Sequence, residues 1–132
     1  MNIHQISMAH QVVMKLGKVP LCYKDAWELR KLRDKTRTAF DFLVEHEQLL
    51  IREHAAKDNA GAPIFNNGNV RFPNRNSCDA FIKGLREIRE VEQDWEHEPI
   101  IIHLPDNVQI SVEDIDCLDG FVVFMEEGEA NG

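Results

Sequence analysis

The 132-residue chain carries six histidines and 23 acidic side chains, the groups best suited to metal or proton chemistry. His46 and His54 stand eight positions apart, with Glu47 and Glu53 beside them. A helical metal pair needs histidines at i and i+4, as in His-Glu-x-x-His. Gln48, Leu49 and Leu50 follow His46-Glu47, so that spacing fails. His97 and His103 flank Glu98, but Pro99 and the run Ile100-Ile101-Ile102 separate them. Surface or helix-end imidazoles are the simpler account. Glu113, Asp114, Asp116 and Asp119 form a carboxylate cluster. A calcium loop of the EF-hand kind needs acids at alternate positions, a central glycine and a closing glutamate. Gly120 comes too late for that, and Ile115 and Leu118 read as the buried side of a short helix.

Cys22, Cys78 and Cys117 form no Cys-x-x-Cys. Only Lys24, two residues after Cys22, offers a cation near a thiol. Cys78 and Cys117 fall at apolar helix positions and read as small core residues. Gly17, Gly61, Gly68 and Gly84 make neither a Gly-x-Gly-x-x-Gly turn nor a phosphate loop. No nucleophile–base pair, metal set or cofactor loop emerges, so the expectation is a non-enzymatic protein without cofactor. The densest basic run is Arg30 to Arg37. On a helix, Arg30, Arg33 and Arg37 share one face, as a phosphate-binding stripe would. No aromatic residue lies among them, and Glu28, Asp34 and Asp41 are near. A solvated, internally paired face is the expectation, and direct nucleic-acid binding is disfavoured.

The formal net charge is −8, and it is unevenly spread. Residues 1–95 hold all 15 Lys and Arg against 13 acids, for +2, whereas residues 96–132 hold 10 acids and no Lys or Arg, for −10. Length and a 43% apolar content imply a single globular domain, taken as 1–125, with 126–132 a disordered acidic tail. No apolar run approaches the ~18 residues of a membrane span. Three unpaired cysteines, and no continuous apolar leader in residues 1–18, imply a reducing cytoplasm.

The elements follow from periodicity. Ile3, Ile6, Val13 and Leu16 recur at helical spacing, with Gly17 and Pro20 beyond, and predict a helix over 3–16. From Tyr23 to His54 there is no Pro or Gly, and Ala26, Leu29, Leu32, Thr36, Phe40, Leu43, Glu47 and Leu50 step by three or four. That predicts one long helix packed on another. Asn66-Asn67-Gly68-Asn69, between Ile64-Phe65 and Val70-Arg71-Phe72, predicts a β-hairpin that caps the tip of the helical pair or packs on a second copy. A third helix, capped at Asn76 or Ser77 and carrying Phe81, Leu85, Ile88, Val91 and Trp95, returns antiparallel to the long one. Ile100–Ile102 and Val108–Ile110 predict short strands, Ser111 caps a short helix, and Phe121–Phe124 is a last apolar stretch. The expected fold class is α+β, mainly α: a long antiparallel helical hairpin, a small β-hairpin at its tip and a short β/helix C-terminal segment. The aromatics Tyr23, Trp27, Phe40 and Trp95 are expected in the core. Phe42 and Ile51 fall off the main seam and imply a second packing partner, either the C-terminal strands or another subunit.

The order of these signals resembles a family of small uncharacterised proteins of tailed bacteriophages and prophages. The resemblance rests on Val19-Pro20-Leu21-Cys22-Tyr23-Lys24 before the long helix, Lys57-Asp58-Asn59-Ala60-Gly61 before the hairpin, and Ile110-Ser111-Val112-Glu113-Asp114-Ile115-Asp116-Cys117-Leu118 near the end. It covers nearly the whole chain except the tail, and the hairpin is less acidic than is usual in the family. It brings no catalytic residues. It implies a phage- or prophage-encoded structural or interaction protein acting through helix contacts, in virion assembly for example. The location would be the cytoplasm of the bacterial host or the virion. A protein partner is expected, either a second copy in a homodimer or a phage or host protein. The alternative is an acidic inhibitor of a host defence or DNA-processing enzyme, whose −10 segment mimics phosphate charge.

Overall fold

The computed structural model describes residues 1–126. In order these form α1 (Ile3–Leu16), α2 (Tyr23–His54), β1 (Phe65–Asn66), β2 (Asn69–Val70), α3 (Arg75–Arg89), β3 (Ile100–Leu104), α4 (Val112–Cys117) and β4 (Val122–Glu126). The α+β class and the bounds of the first two helices agree with the sequence.

Asn2 starts α1 with a complete capping box. Its side chain accepts from the Gln5 N–H at 2.8 Å, and Gln5 Oε1 accepts from the Asn2 N–H at 2.9 Å. Helix α2 is about 48 Å long at 1.5 Å per residue, and it is the spine of the molecule. Helix α1 packs along its first half, where Leu29, Leu32, Thr36, Ala39 and Leu43 are buried against Ile6, Ala9, Val13 and Leu16. Full burial of a side chain such as Ile6 contributes about 2 kcal/mol.

Helix α3 packs along the second half, and there the approach is close. A Cβ built on Gly84 would stand 2.9 Å from Leu50 Cδ2. So α1 and α3 follow one another along α2, and both contribute to the helical hairpin.

The third helix differs from its sequence reading at both ends. Its cap is Asn74, which accepts from the Ser77 N–H at 2.8 Å, rather than Asn76 or Ser77. It stops at Arg89 rather than near Trp95. Val91 and Gln93 are taken by the N-terminus: Ile3 N–H donates to Val91 O at 2.9 Å and Gln93 N–H donates to Met1 O at 2.8 Å. This pairing removes Val91 from the helical series that its spacing continues.

The β1–β2 hairpin turns at Asn67 and Gly68, whose φ values of 53° and 81° are both left-handed, as a two-residue hairpin turn requires. It is tied to the end of α2 by Ala56 N–H to Arg71 O at 2.8 Å and Ile64 N–H to Ala56 O at 2.9 Å.

At the opposite end, β3 and β4 pair in parallel, from Ile100 with Val122 to Leu104 with Glu126, with α4 in their crossover. Ser111 caps α4 as expected, accepting from the Asp114 N–H at 3.1 Å. Val108–Ile110 is not a strand. Its alternation instead leaves Val108 and Ile110 half-buried in the connection. Glu126, assigned to the tail by sequence, closes β4; the rest of that tail lies outside the described residues.

Candidate functional site

Core formation is lopsided. No residue of α2 beyond Leu43 is fully buried, and no residue of α3 is. The distal arm is therefore α2 residues 44–54, the hairpin and the first turns of α3, whereas the last turns of α3 lean on the core through Leu85 and Ile88. Its internal contacts include Leu50 against Gly84 and the tilted pair Phe72–Phe81, with centroids 5.2 Å apart. Around that seam Phe42, Val44, Leu49, Phe65 and Ile82 remain exposed.

Ile51 sits in this arm and Phe42 at its root, but not on one side. Nine residues make about 2.5 turns, so the two occupy opposite flanks of α2. Phe42 stacks on His46, with centroids 4.1 Å apart, and shares its flank with Leu49. Ile51 shares the other flank with Val44, and that flank continues toward the base through Arg37, Arg33 and Arg30. The C-terminal strands reach α2 near its first turn, at Asp25, and leave Phe42 exposed.

The arginine stripe is less internally paired than its sequence implies. Glu28 pairs with Lys31 at 2.7 Å instead. Arg33 Nε stands 3.6 Å from Asp34, and the Arg30 guanidinium lies 5.6 Å from the Trp27 ring centroid. Among the described residues, no acid of 96–126 pairs with Arg30, Arg33 or Arg37. That segment's one link to a Lys or Arg is Lys15 to Asp114 at 3.3 Å. Glu96, Glu98, Asp106, Glu113, Asp116, Asp119 and Glu126 are all exposed. The acidic segment is thus displayed at the base. Tyr23 and Trp27, expected in the core, are exposed at 88% and 50%, while Phe40 and Trp95 are half-buried.

Two buried polar clusters escaped the sequence reading. Thr36 lies at the centre of the α1–α2 seam, its Oγ1 2.8 Å from His10 Nδ1 and 3.1 Å from Leu32 O. Burial lowers the His10 pKa, and the nearby Arg37 and Arg33 charges lower it further. The imidazole is therefore a neutral core group, stacked on Phe40 at 4.8 Å.

At the base, buried Asp25 accepts through Oδ2 from the His103 N–H at 2.7 Å and from its Nδ1 at 3.0 Å. Burial pushes the Asp25 pKa up. The hydrogen bonds from His103 and Cys22, with the His103 charge, outweigh burial and hold it below the ordinary value. The signal for Asp25 was its place four residues before Leu29, in step with Leu32 and Thr36.

The Asp25–His103 pair borders a cleft of about 480 Å³ that also includes Lys24, Lys35, Glu96 and His97. An imidazole held by a carboxylate can serve as a base, but no Ser, Thr or Cys lines this cleft. Its evident role is to fasten β3 to the first turn of α2.

His46 and His54 lie on the arm, the former against Phe42 and the latter 3.9 Å from Glu53. His97 packs edge-on against Trp95 at 4.8 Å. Among the described residues, no three His, Cys, Asp or Glu side chains come together as a metal site. The three cysteines are unpaired, and among the described residues no helix is long and apolar enough to cross a membrane. The chain matches no family model, no curated protein and no solved structure.

Proposed function

We propose that this protein is a non-enzymatic interaction module that self-associates through its distal arm. One observation carries the reading: α2 beyond Leu43 and all of α3 lack a fully buried residue, while Phe42, Leu49 and Ile82 are exposed. A two-helix layer is a marginal fold by itself, and a second layer completes it.

Charge favours a second copy as that layer. Over 41–54, α2 carries Asp41, Glu45, Glu47 and Glu53 against Arg52, whereas α3 carries Arg75, Lys83, Arg86 and Arg89 against Asp79 and Glu87. In a two-fold pairing, the acidic stretch of α2 meets the basic α3 of its partner, and the contact is self-complementary. Taken with the resemblance to phage and prophage proteins, this is an assembly component of an infected bacterial cell, acting in its cytoplasm or within the virion. Light-scattering mass after size exclusion, at low and high salt, tests the reading. A dimer that persists in high salt supports an apolar contact, and a monomer at both salts overturns it.

A second reading rests on the acidic base. Seven exposed acids of 96–126, with Lys15–Asp114 the segment's one link to a Lys or Arg among the described residues, make a surface that competes for a basic nucleic-acid site on another protein. That reading requires binding that weakens steeply with salt and displacement by DNA.

A further inference from the structure

A cleft of about 310 Å³ lies between the last turn of α1, the connection 17–22 and the first turns of α2. It is separate from both the arm and the acidic base, since none of its lining residues comes from 38–126. Its floor is apolar, with Val13, Met14 and Leu16 of α1 facing Ala26 and Leu29 of α2. Met14 is half-exposed there, in a helix whose other large side chains on this side are buried.

The charged groups on the wall are Lys18, Arg30 and Arg33. Among the described residues, no Asp or Glu lines the cleft, although the chain has a net charge of −8. The Arg33 side chain is 36% exposed, and its Nε pairs loosely with Asp34 at 3.6 Å without a hydrogen bond.

We propose that this cleft binds a small amphipathic carboxylate, with its apolar body on the Val13–Leu29 floor and its head group held by Arg30 and Arg33. The volume lies at the lower end for a ligand site, so the ligand is small, with a single chain or ring and one anionic end. Arginine suits that end, because its planar donor fork matches a carboxylate with two hydrogen bonds. The stripe of Arg30 and Arg33, which neither the arm nor the acidic base uses, thereby has a ligand-binding role.

The test titrates the full chain with octanoate and, separately, with 1-octanol, followed by amide chemical shifts. The two probes share a chain length and differ in head-group charge. Octanoate is expected to move amides of 13–21 and 26–33 and to saturate at a concentration at least tenfold below octanol. In the Arg30→Gln, Arg33→Gln double variant, octanoate affinity should fall to that of octanol, with octanol unchanged. Equal affinity for the two probes in the unaltered protein would overturn the proposal. So would shifts centred on the arm instead of the cleft. The probe comparison needs no variant, so a folding defect in the double variant leaves the proposal testable.

Discussion

Asp25 and His103, 78 residues apart, meet through a single carboxylate oxygen: Asp25 Oδ2 accepts from both the backbone N–H and the ring Nδ1 of His103. Because an ionised carboxylate only accepts, the ring proton sits on Nδ1 in this contact. The pair joins the first turn of α2 to β3, and through β3 it holds the parallel β3–β4 sheet on the helical spine.

Asp25→Ala should cost about 2–3 kcal/mol, since it removes the carboxylate that accepts from the His103 N–H and ring. Urea unfolding measures the loss. Amide exchange should localise it, with His103 and its neighbours in β3 losing protection first. Asp25→Asn, which retains one acceptor oxygen, should cost less.

Stability should fall as the solution is acidified below the imidazole range. His10 has a native pKa below its ordinary 6.5, so the unfolded chain binds more protons between those two values. The stabilising contribution of neutral His10 is complete above 6.5 and is lost as pH falls toward the native value. His4, also lowered by burial and by Arg89, adds in the same direction. Urea midpoints at pH 7.5 and 5.5 should differ in that sense. Arg37→Gln should narrow the difference, because Arg37 is the largest charge acting on His10. An unchanged difference in Arg37→Gln would contradict the assignment.

Gly84 should tolerate only the smallest addition. An alanine Cβ would meet the flexible end of Leu50 at 2.9 Å, and helix propensity returns about 1 kcal/mol, so Gly84→Ala should be near neutral. Gly84→Phe should part α3 from α2. Amide exchange should then rise across α3 and the hairpin while α1 and β3 stay protected.

These contacts also mark where the sequence was legible. Local signals placed α1 and α2: Gly17 and Pro20 stop the first helix, and the stretch Tyr23–His54 lacks a breaker. Asn67-Gly68 placed the hairpin turn for the same local reason, a need for positive φ. Long-range pairings were illegible. Val91 continues the spacing of α3, yet Met1–Ile3 claims it, and nothing near Val91 announces a partner some ninety residues away. The parallel partnership of Ile100–Leu104 with Val122–Glu126 is hidden in the same way. The long-helix seam was read through Ala26, and the buried position is its neighbour Asp25, because an acid does not register as a core residue until its partner is known. Phe42 and Ile51 share only their distance from the seam in the sequence, and the helix sets them on opposite flanks.

The arm's exposed flank should govern association. Leu49→Glu places a charge on the apolar side shared with Phe42 and should yield a monomer by light scattering, with a thermal midpoint close to that of the unaltered monomer. Ile101→Glu, an exposed apolar site on β3 at the base, should leave the dimer intact.

The central claim is that the second layer over the arm is another copy, and isotope-filtered contacts in a mixed sample test it most directly. Equal parts of labelled and unlabelled chain are mixed, and only contacts between copies are detected. The account predicts contacts from the Leu49 and Ile82 methyl groups of one copy to α2 and α3 of the other. A sample without such contacts, or with contacts confined to β3, α4 and β4, would contradict it.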